Sequence, residues 1–379
     1  MDVKIATRPA WAEINLSNIS HNMRELRRVT EPDARVMAVV KANGYGHGAI
    51  PVSQAVLANG ADYLGVAILA EALELRQAGI EAPILIFGFT PTEQAADAVQ
   101  LDIAQTVYSF AGAEAISQAA VRLGKRAKIH IKIDTGLGRL GFLTEIGTPK
   151  EIVKIAGLPG IEIEGIFTHF SVAGSGDKRY TYSQYTQFTE IISRLKSMGL
   201  EIPIKHASNS AGLIDLPDVH MDMVRAGITI YGLYPSNEVL RDKVDLKPAL
   251  CLKAQVAQVK MVPEGTSISY GRTYITKQAS KVATIPLGYA DGYTRLLSNK
   301  APAIIHGQKV SQIGTICMDQ FMIDVSSVSG VQNGDEVILV GEQGGQKITV
   351  DDLANLVGTI NYEIVCMLSE RVPRVYINP

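Results

Sequence analysis

A lysine at the end of the first apolar run is the residue of this sequence best placed for covalent chemistry. Lys41 follows RVMAVV and opens the segment KANGYGHG, whose glycines let the backbone approach a ligand closely. A lysine that is desolvated at a strand end has its ammonium form disfavoured, which makes it a competent nucleophile toward a carbonyl carbon. The alternative is a solvated strand-end lysine with no chemical role.

A second candidate segment, KIHIKIDTGLGRLGF, places charged residues at alternate positions of a strand. Lys128, His130, Lys132 and Asp134 alternate with apolar residues, so one row faces the interior of a closed sheet. An inward Lys132 is costly as an ammonium beside Arg139, because two desolvated cations repel each other. The alternative is an ordinary ion-pair network of these side chains.

Two later apolar runs bring hydrogen-bond donors to their ends. Asn209 and Ser210 follow the run IKHAS, and the backbone amides of Gly227 and Ile228 lie in the next run, MVRAGITIYG. A barrel commonly binds phosphate in the loops after its seventh and eighth strands, and these residues are small donors suited to that role.

The elements that carry these residues are repeated strand and helix units from about residue 36 to 234. Eight such units predict a closed (β/α)8 barrel, with functional groups at the carboxyl ends of its strands. Two intervening segments, 109–123 and 183–198, are amphipathic and open with a serine suited to cap a helix. The eight apolar runs are RVMAVV, YLGVAI, PILIFG, DIAQTV, KIHIKID, EGIFTH, IKHAS and MVRAGITIYG.

After residue 236 the pattern changes to strand-like runs with little helical period. We predict a barrel domain over 1–240, with an N-terminal strand at about 9–16 that can pack with the second domain, and a β-rich domain over 241–379. The candidate strands of that domain are LKAQVAQVKMV, KVATIPL, PAIIHG, QIGTICM, FMIDV and EVILVG.

Composition excludes several classes of partner. The net charge of -2 gives no footprint for nucleic acid or for an anionic membrane, so a small molecule is the expected partner. The three cysteines are an odd number without metal-ligand spacing, which favours a cytoplasmic protein without a metal site. The N-terminus MDVKIATRPAWAEI lacks a signal pattern, and no apolar stretch is long enough to span a bilayer.

The segment VVKANGYGHG resembles the cofactor-lysine signature of the alanine racemases, barrel enzymes that depend on pyridoxal 5'-phosphate. The resemblance extends from AWAEINLSNISHN to INYEIVC, which is almost the whole chain. It implies a homodimer with shared active sites that interconverts L-alanine and D-alanine and supplies D-alanine for peptidoglycan. In this family Lys41 would form the Schiff base with the cofactor, and Tyr45 would contact its phosphate.

The resemblance also assigns roles to the charged groups of the barrel. Lys132 matches a lysine that is often carbamylated, and Arg139 would contact the cofactor and the substrate carboxylate. His169 and His206 would pack against the cofactor and donate or accept hydrogen bonds behind it. Arg225 would face the ring nitrogen, and because arginine stays charged this nitrogen would remain unprotonated, which suits racemisation better than transamination.

Racemisation needs a second acid/base group on the opposite face of the substrate Cα. Tyr270, in ISYGRTY, resembles the catalytic tyrosine that this family takes from the partner subunit. By the same resemblance Met318 and Asp319 would belong to the substrate site. Tyr362 would contact phosphate and narrow the pocket, and Tyr289 would line the entrance.

Two segments depart from the family pattern, and three alternative functions stay open. Thr315 stands where many members carry arginine, and 171–176 lacks the usual acidic residues, which changes the expected entrance corridor. A serine or broad-specificity racemase would share every catalytic group. A pyridoxal-phosphate carrier would not need Tyr270, and a metal-dependent hydrolase built on His169, His206 and Asp215 lacks a bridging carboxylate cluster.

Overall fold

The structure, a computed structural model, describes residues 8–378 as two compact units. The barrel unit comprises 18–44 and 49–248. The β unit comprises the chain up to Ser17, the short stretch Tyr45–Gly48, and the chain from Ala249 onward. The domain boundary that the sequence predicts between residues 240 and 241 stays a prediction, and residues 1–7 and 379 lie outside the described residues.

The secondary structure of residues 8–378 follows in chain order. The strands are β1 (Ala10–Asn15), β2 (Arg35–Val39), β3 (Tyr63–Val66), β4 (Ile84–Ile86), β5 (Ala104–Val107), β6 (Ala127–Asp134), β7 (Phe142–Leu143), β8 (Ile161–Phe167), β9 (Ile204–His206), β10 (Met223–Ala226), β11 (Leu250–Gln255), β12 (Gln258–Val262), β13 (Ser267–Ile268), β14 (Tyr274–Ile275), β15 (Ser280–Ile285), β16 (Pro302–Ile305), β17 (Gln308–Ile313), β18 (Phe321–Asp324), β19 (Glu336–Gln343), β20 (Gln346–Ile348) and β21 (Arg374–Ile377). The helices are α1 (Leu16–Val29), α2 (Lys41–Tyr45), α3 (Ala49–Leu57), α4 (Leu69–Gln77), α5 (Ala95–Gln100), α6 (Phe110–Leu123), α7 (Thr148–Ala156), α8 (Arg179–Ser197), α9 (Ser210–Asp215), α10 (Val350–Val357) and α11 (Asn361–Cys366). Short 3₁₀ helices lie at Thr92–Gln94, Pro217–Val219, Ile228–Tyr231, Arg241–Lys243, Tyr270–Arg272, Tyr289–Asp291 and Arg295–Leu297.

The barrel unit is a nearly closed barrel of eight parallel strands surrounded by helices, which confirms the predicted fold class. The strand order is β10-β2-β3-β4-β5-β6-β8-β9. The two ends of this strand order, β10 and β9, meet where the amide of Arg225 in β10 donates to the carbonyl of Ser208, just after β9, at 3.1 Å. Strands β3, β4 and β5 are buried along their whole length, because the barrel interior covers one face and the helices cover the other. Each strand falls within one of the eight predicted apolar runs or overlaps it by most of its length.

One of the two predicted helix caps is confirmed and the other is wrong. The hydroxyl of Ser109 accepts the amide hydrogen of Gly112 and begins α6. Ser183, in contrast, lies inside α8, which begins at Arg179. The amide of Arg179 donates to the carboxylate of Asp177, and no glycine or proline separates this start from Ser183, so the helix begins four residues earlier.

The β unit is mostly strand, as the sequence predicts. Its main sheet has the order β12-β15-β18-β17-β16-β19-β11-β1-β21. Strand β1 pairs antiparallel with β11 and parallel with β21, and its side chains alternate between buried and partly buried positions. The predicted strand QIGTICM is wrong after Ile313, because Gly314 turns the chain with a φ of +75°.

The described part of the chain has neither a candidate membrane span nor a cluster of metal ligands. No helix there is long and apolar enough to cross a membrane. Residues 8–378 also contain no group of three or more His, Cys, Asp or Glu side chains arranged to hold a metal ion.

Candidate active site

Lys41 lies at the carboxyl end of β2, where the chain makes an unusual left-handed turn. Ala42, Asn43 and Gly44 all have φ between 51° and 59°, a region that costs non-glycine residues roughly 1–2 kcal/mol each. The amide of Gly44 donates to the carbonyl of Val40 at 2.8 Å and closes the turn. The partly buried Lys41 side chain therefore starts from a backbone that has one defined direction.

A glutamate of the next helix holds this turn in place. Glu71, in the first turn of α4, accepts the amide hydrogen of Ala42 on Oε1 and that of Ala67 on Oε2, both at 2.7 Å. The Asn43 side chain accepts from the amide of Ala49 at 2.8 Å. These bonds offset part of the strain of the turn and fix the residue that follows Lys41.

Asp134, the last residue of β6, shapes the loop that presents Arg139. Its Oδ1 accepts the amide hydrogens of residues 136, 137 and 138 at 2.9, 2.9 and 3.1 Å, and its Oδ2 accepts that of Arg139 at 2.9 Å. Partial burial disfavours the carboxylate, but these four bonds outweigh burial and lower the pKa of Asp134. These bonds fix the backbone of Arg139, whose side chain is exposed.

Lys132 points into the barrel, so its row of β6 is the one that faces the interior. It is 5% exposed, and its Nζ lies 4.3 Å from the centre of the Phe167 ring. Burial lowers the pKa of Lys132 well below its ordinary value, and the charges of Arg225 and Arg139 lower it further. The environment therefore favours a neutral amine at this position.

Arg225 is buried, and both of its terminal nitrogens have acceptors. One terminal nitrogen donates to Nδ1 of His206 at 2.9 Å. The other donates to the carbonyls of Thr168 and Ala207 at 2.9 Å each and to Nδ1 of His169 at 3.2 Å. Burial and the charge of Arg139 lower the pKa of Arg225 to about 9, which leaves it cationic near neutral pH. Because a guanidinium only donates, both histidine Nδ1 atoms must accept.

The residues predicted to bind phosphate lie together at the adjacent strand ends. Asn209 caps α9, with its side-chain oxygen accepting from the amides of Ala211 and Gly212 at 3.1 and 3.0 Å. The hydroxyl of Ser210 accepts from the amide of Gly227 at 2.9 Å, and Ile228 follows in a buried 3₁₀ turn. This arrangement joins the ends of β9 and β10.

The segment 171–176, which departs from the family pattern, is held by polar side chains elsewhere in the barrel unit. The amide of Ser171 donates to the side-chain oxygen of Gln184 at 3.0 Å. The amide of Gly176 donates to the carboxylate of Glu238 at 2.6 Å. A carboxylate thus reaches this segment from a distant position in the sequence.

Several cations converge at this end of the barrel. Desolvation and nearby positive charge lower the pKa of His169 well below its ordinary value. The basic side chains responsible are Arg225, Lys132, Arg139 and Lys41, and of these Lys132 is the one whose ammonium form is itself disfavoured. A neutral imidazole among cations is an electropositive setting, which suits an anionic ligand such as a phosphate or a carboxylate.

In the β unit, two predicted phosphate ligands pack against each other. The rings of Tyr45 and Tyr362 have centroids 6.1 Å apart and are tilted by 53°. Burial raises the pKa of both phenols, so both stay protonated and can donate a hydrogen bond. Tyr362 lies in α11, whose first residue, Asn361, donates to Asp351 at 2.9 Å.

Tyr270 stands on an exposed turn that Thr315 holds. The side chain of Tyr270 is 71% exposed, and residues 269, 271 and 272 all have positive φ. The hydroxyl of the buried Thr315 donates to the carbonyl of Tyr270 at 2.9 Å, and the hydroxyl of Ser269 donates to the carbonyl of Thr315 at 2.5 Å. Thr315 therefore supports the backbone of Tyr270.

Met318 and Asp319 lie on an exposed loop that is tied to a neighbouring turn. The carbonyl of Met318 accepts from the amide of Ala290 at 3.0 Å, beside Tyr289. Asp319 accepts from Arg371 at 2.6 Å, and Arg371 also lies 3.3 Å from the buried carboxylate of Asp291. This network fixes the loop that carries both predicted substrate residues.

The structure brings together the barrel residues that the sequence singled out, and it adds three residues to which the sequence assigned no role in the site. These are Glu71, His130 and Glu164, and the last two lie behind His206. The glutamate at the third position of α4 is a signal that could have found Glu71. The roles of the individual site residues stay predictions.

Two protein-family models match consecutive parts of the chain. The family model described as "Alanine racemase, N-terminal domain" matches residues 14–235. The model described as "Alanine racemase, C-terminal domain" matches residues 249–376.

Relatives and solved structures match over nearly the whole chain. An alanine racemase of Methanococcus maripaludis is 53% identical over 374 residues, which is 99% of this chain and 100% of the relative. An alanine racemase of Clostridium perfringens is 52% identical, covering 98% of this chain and 96% of its own. The alanine racemase structure from Clostridium difficile has a TM-score of 0.94 at 43% identity, covering 98% and 96% of the two chains. The structure from Bacillus anthracis with bound L-Ala-P has a TM-score of 0.93 at 39% identity, covering 98% and 95%.

Proposed function

The chain belongs to the alanine racemase family, and we propose that it racemises alanine with pyridoxal 5'-phosphate held on Lys41. Membership in this family makes it an isomerase. The observation that carries the cofactor proposal is the group of basic side chains around His169, with Arg225 3.2 Å from its Nδ1, which suits an anionic ligand.

The residues present fit the phosphate, the ring and the aldehyde of this cofactor. Lys41 offers an amine at a rigid strand end. Asn209, Ser210, Gly227 and Ile228 would hold the phosphate, together with Tyr45 and Tyr362, whose phenols stay protonated. His169 and His206 would pack beside the ring. When bound, pyridoxal 5'-phosphate supplies an electron-withdrawing ring that acidifies the Cα–H bond of an attached amino acid.

Two groups would move the proton at Cα. Lys41 would take or return it on one face, and Tyr270 of the partner subunit would do so on the other, in a homodimer with shared active sites. The exposure of Tyr270 and the fixed turn beneath it support a role toward a second copy of the chain. The D-alanine so produced would serve as a precursor of peptidoglycan.

Arg225 would determine how strongly the cofactor ring withdraws electrons. It only donates hydrogen bonds, so a ring nitrogen that faces it accepts and stays unprotonated. A weaker electron sink favours return of the proton to Cα over transfer of the amino group.

Arg139 would orient the substrate carboxylate, for which its planar fork is suited. A neutral Nζ of Lys132 can add to CO2 and lose a proton, and the resulting carbamate anion would offset the charges of Arg139 and Arg225. The lowered pKa of Lys132 supports this modification, because only the unprotonated amine reacts. This modification would explain why a lysine is buried at this position.

Alanine is the proposed substrate because, by the family resemblance, Tyr362 would leave room for only a small side chain. Met318 and Asp319 would line the substrate site, Tyr289 its entrance, and Tyr362 would limit the side chain. A serine or broad-specificity racemase is the alternative, and a kinetic comparison of L-alanine, L-serine and L-lysine decides between them. A preference for lysine would overturn the substrate assignment.

The odd number of cysteines supports a cytoplasmic location.

The direct test of the cofactor site is borohydride reduction of the purified protein followed by peptide mapping. We expect a visible absorption band that disappears on reduction and a stable pyridoxyl adduct on Lys41. A protein without the band, or with the adduct on another lysine, would contradict the proposal. Lys128 is the internal control, because its ammonium is already bound by Glu164.

A further inference from the structure

A line of hydrogen-bonded side chains runs behind Arg225, from the carboxyl end of the barrel toward its amino end. Arg225 of β10 donates to Nδ1 of His206 in β9 at 2.9 Å. Nε2 of His206 lies 2.9 Å from Nδ1 of His130 in β6. Nε2 of His130 lies 3.0 Å from the carboxylate of Glu164 in β8. Four strands therefore contribute one side chain each to a continuous relay.

The two ends of the relay allow only one arrangement of protons. The guanidinium of Arg225 only donates, so Nδ1 of His206 accepts and its proton lies on Nε2. That proton points at Nδ1 of His130, which must accept and so carries its own proton on Nε2. The carboxylate of Glu164 accepts this last proton. Burial lowers the pKa of His130 and His206, which agrees with two neutral rings.

Glu164 is held as an anion at the far end. Tyr63 donates to it at 2.6 Å and Lys128 at 2.8 Å. Burial disfavours this carboxylate, but the hydrogen bonds from His130, Lys128 and Tyr63 outweigh burial and lower the pKa of Glu164 to about 2. It thus remains charged at any pH at which the protein works.

Packing leaves the two rings little freedom to turn. The ring of His206 stacks on Phe167 with centroids 4.7 Å apart and an interplanar angle of 6°. The neighbour of Glu164 in β8 is Gly165, and a β-carbon there would clash with the ring of His130. The glycine therefore makes room for the ring that joins the two halves of the relay.

We propose that Glu164 is a positioning residue for Arg225, acting through His130 and His206 to fix the nitrogen that accepts from the guanidinium. The four partners of Arg225 are two imidazole nitrogens and two carbonyl oxygens, none of which carries a full negative charge. A buried cation without a counter-charge is costly, and the relay brings the charge of Glu164 to bear on it through two aligned dipoles. The value of this to catalysis rests on the proposed role of Arg225 at the ring nitrogen.

The relay is tested by 15N NMR of the full-length protein labelled in its histidine rings, which reports the nitrogen that carries each proton. We expect His130 and His206 to be protonated on Nε2 alone. In Arg225→Gln the arginine no longer dictates the direction, since an amide can donate or accept. Both rings should nevertheless keep the proton on Nε2, because Glu164 still imposes it.

Two further variants separate the carboxylate from its surroundings. Adding Glu164→Gln to Arg225→Gln removes both directing charges, and we expect mixed tautomers in both rings. Adding Tyr63→Phe instead removes one donor to Glu164 but keeps the carboxylate, so the tautomers should not change. Mixed tautomers already in Arg225→Gln would overturn the proposal. If that variant does not fold, a proton on Nδ1 of either ring in the unaltered protein would overturn it equally.

These measurements do not depend on the cofactor. Failure of the pyridoxal 5'-phosphate proposal would leave the predicted tautomers unchanged. Failure of the relay would leave the reduction of the cofactor onto Lys41 unchanged. A purely structural role of Glu164 would lower the melting temperature of Glu164→Gln without moving any ring proton.

Discussion

Replacing Asp134 by asparagine tests how the loop of Arg139 is held. The amide oxygen can keep the bonds from residues 136, 137 and 138, but its NH2 group faces the amide of Arg139, so one acceptor becomes a donor. Hydrogen bonds to charged groups contribute about 1.5–3 kcal/mol and neutral ones about 1 kcal/mol. We expect the free energy of unfolding to fall by about 2 kcal/mol. This is the low end for the lost bond from Arg139 plus a small loss from the three bonds that become neutral, because solvent screens the partly exposed Asp134.

Denaturant unfolding of the parent protein and Asp134→Asn measures this difference. The pKa of Asp134 is lower in the folded than in the unfolded protein, so its contribution is complete above the unfolded value of about 3.9 and is lost as the pH falls through the folded value. The difference between the two proteins should therefore shrink in acid. Asp177→Asn is the matched control, because that carboxylate pairs with Arg179 on the surface and its loss should leave stability unchanged. Equal stability of the two variants, or a difference that persists in acid, would refute the reasoning.

Three further predictions follow from the site. Tyr270→Phe should lower kcat by a factor of about 10²–10⁴ with the cofactor absorption intact. A variant that racemises alanine as fast as the parent would exclude a role for the hydroxyl. Gly165→Ala should lower the free energy of unfolding by about 1–3 kcal/mol, because its β-carbon clashes with the ring of His130, and an unchanged denaturation midpoint would show that the ring has room. Glu71→Ala should release the cofactor about tenfold more readily on dialysis, since the turn after Lys41 loses its anchor, and unchanged retention would argue against that anchor.

The barrel could be predicted because its strands are short apolar runs that are buried on both faces. The alternation of β6 also predicted that one row of its side chains faces inward, and the structure shows that this row includes Lys132. The start of α8 could not be predicted from Ser183, since a favourable cap residue competes with a helix that continues upstream to Arg179. Local chemistry is therefore a good guide to the type of an element and a weaker one to its ends.

The contacts of the supporting residues could not be predicted from the sequence, because their partners are distant along the chain. Ala42 and Glu71 are separated by 29 positions, His130 and Glu164 by 34. The two histidines of the relay, at 130 and 206, are separated by 76 positions. Strand order had to be known before these contacts could be proposed. The same limit applies to Tyr270, whose proposed partner is a second copy of the chain.

The exchange of the α-proton of alanine in D2O tests the two-base account most directly. With Lys41 intact and the hydroxyl of Tyr270 removed, Tyr270→Phe should exchange the α-proton of one enantiomer of alanine and leave that of the other in place, with almost no interconversion. Exchange from both enantiomers at equal rates in this variant would contradict the assignment of Lys41 and Tyr270 to opposite faces of Cα.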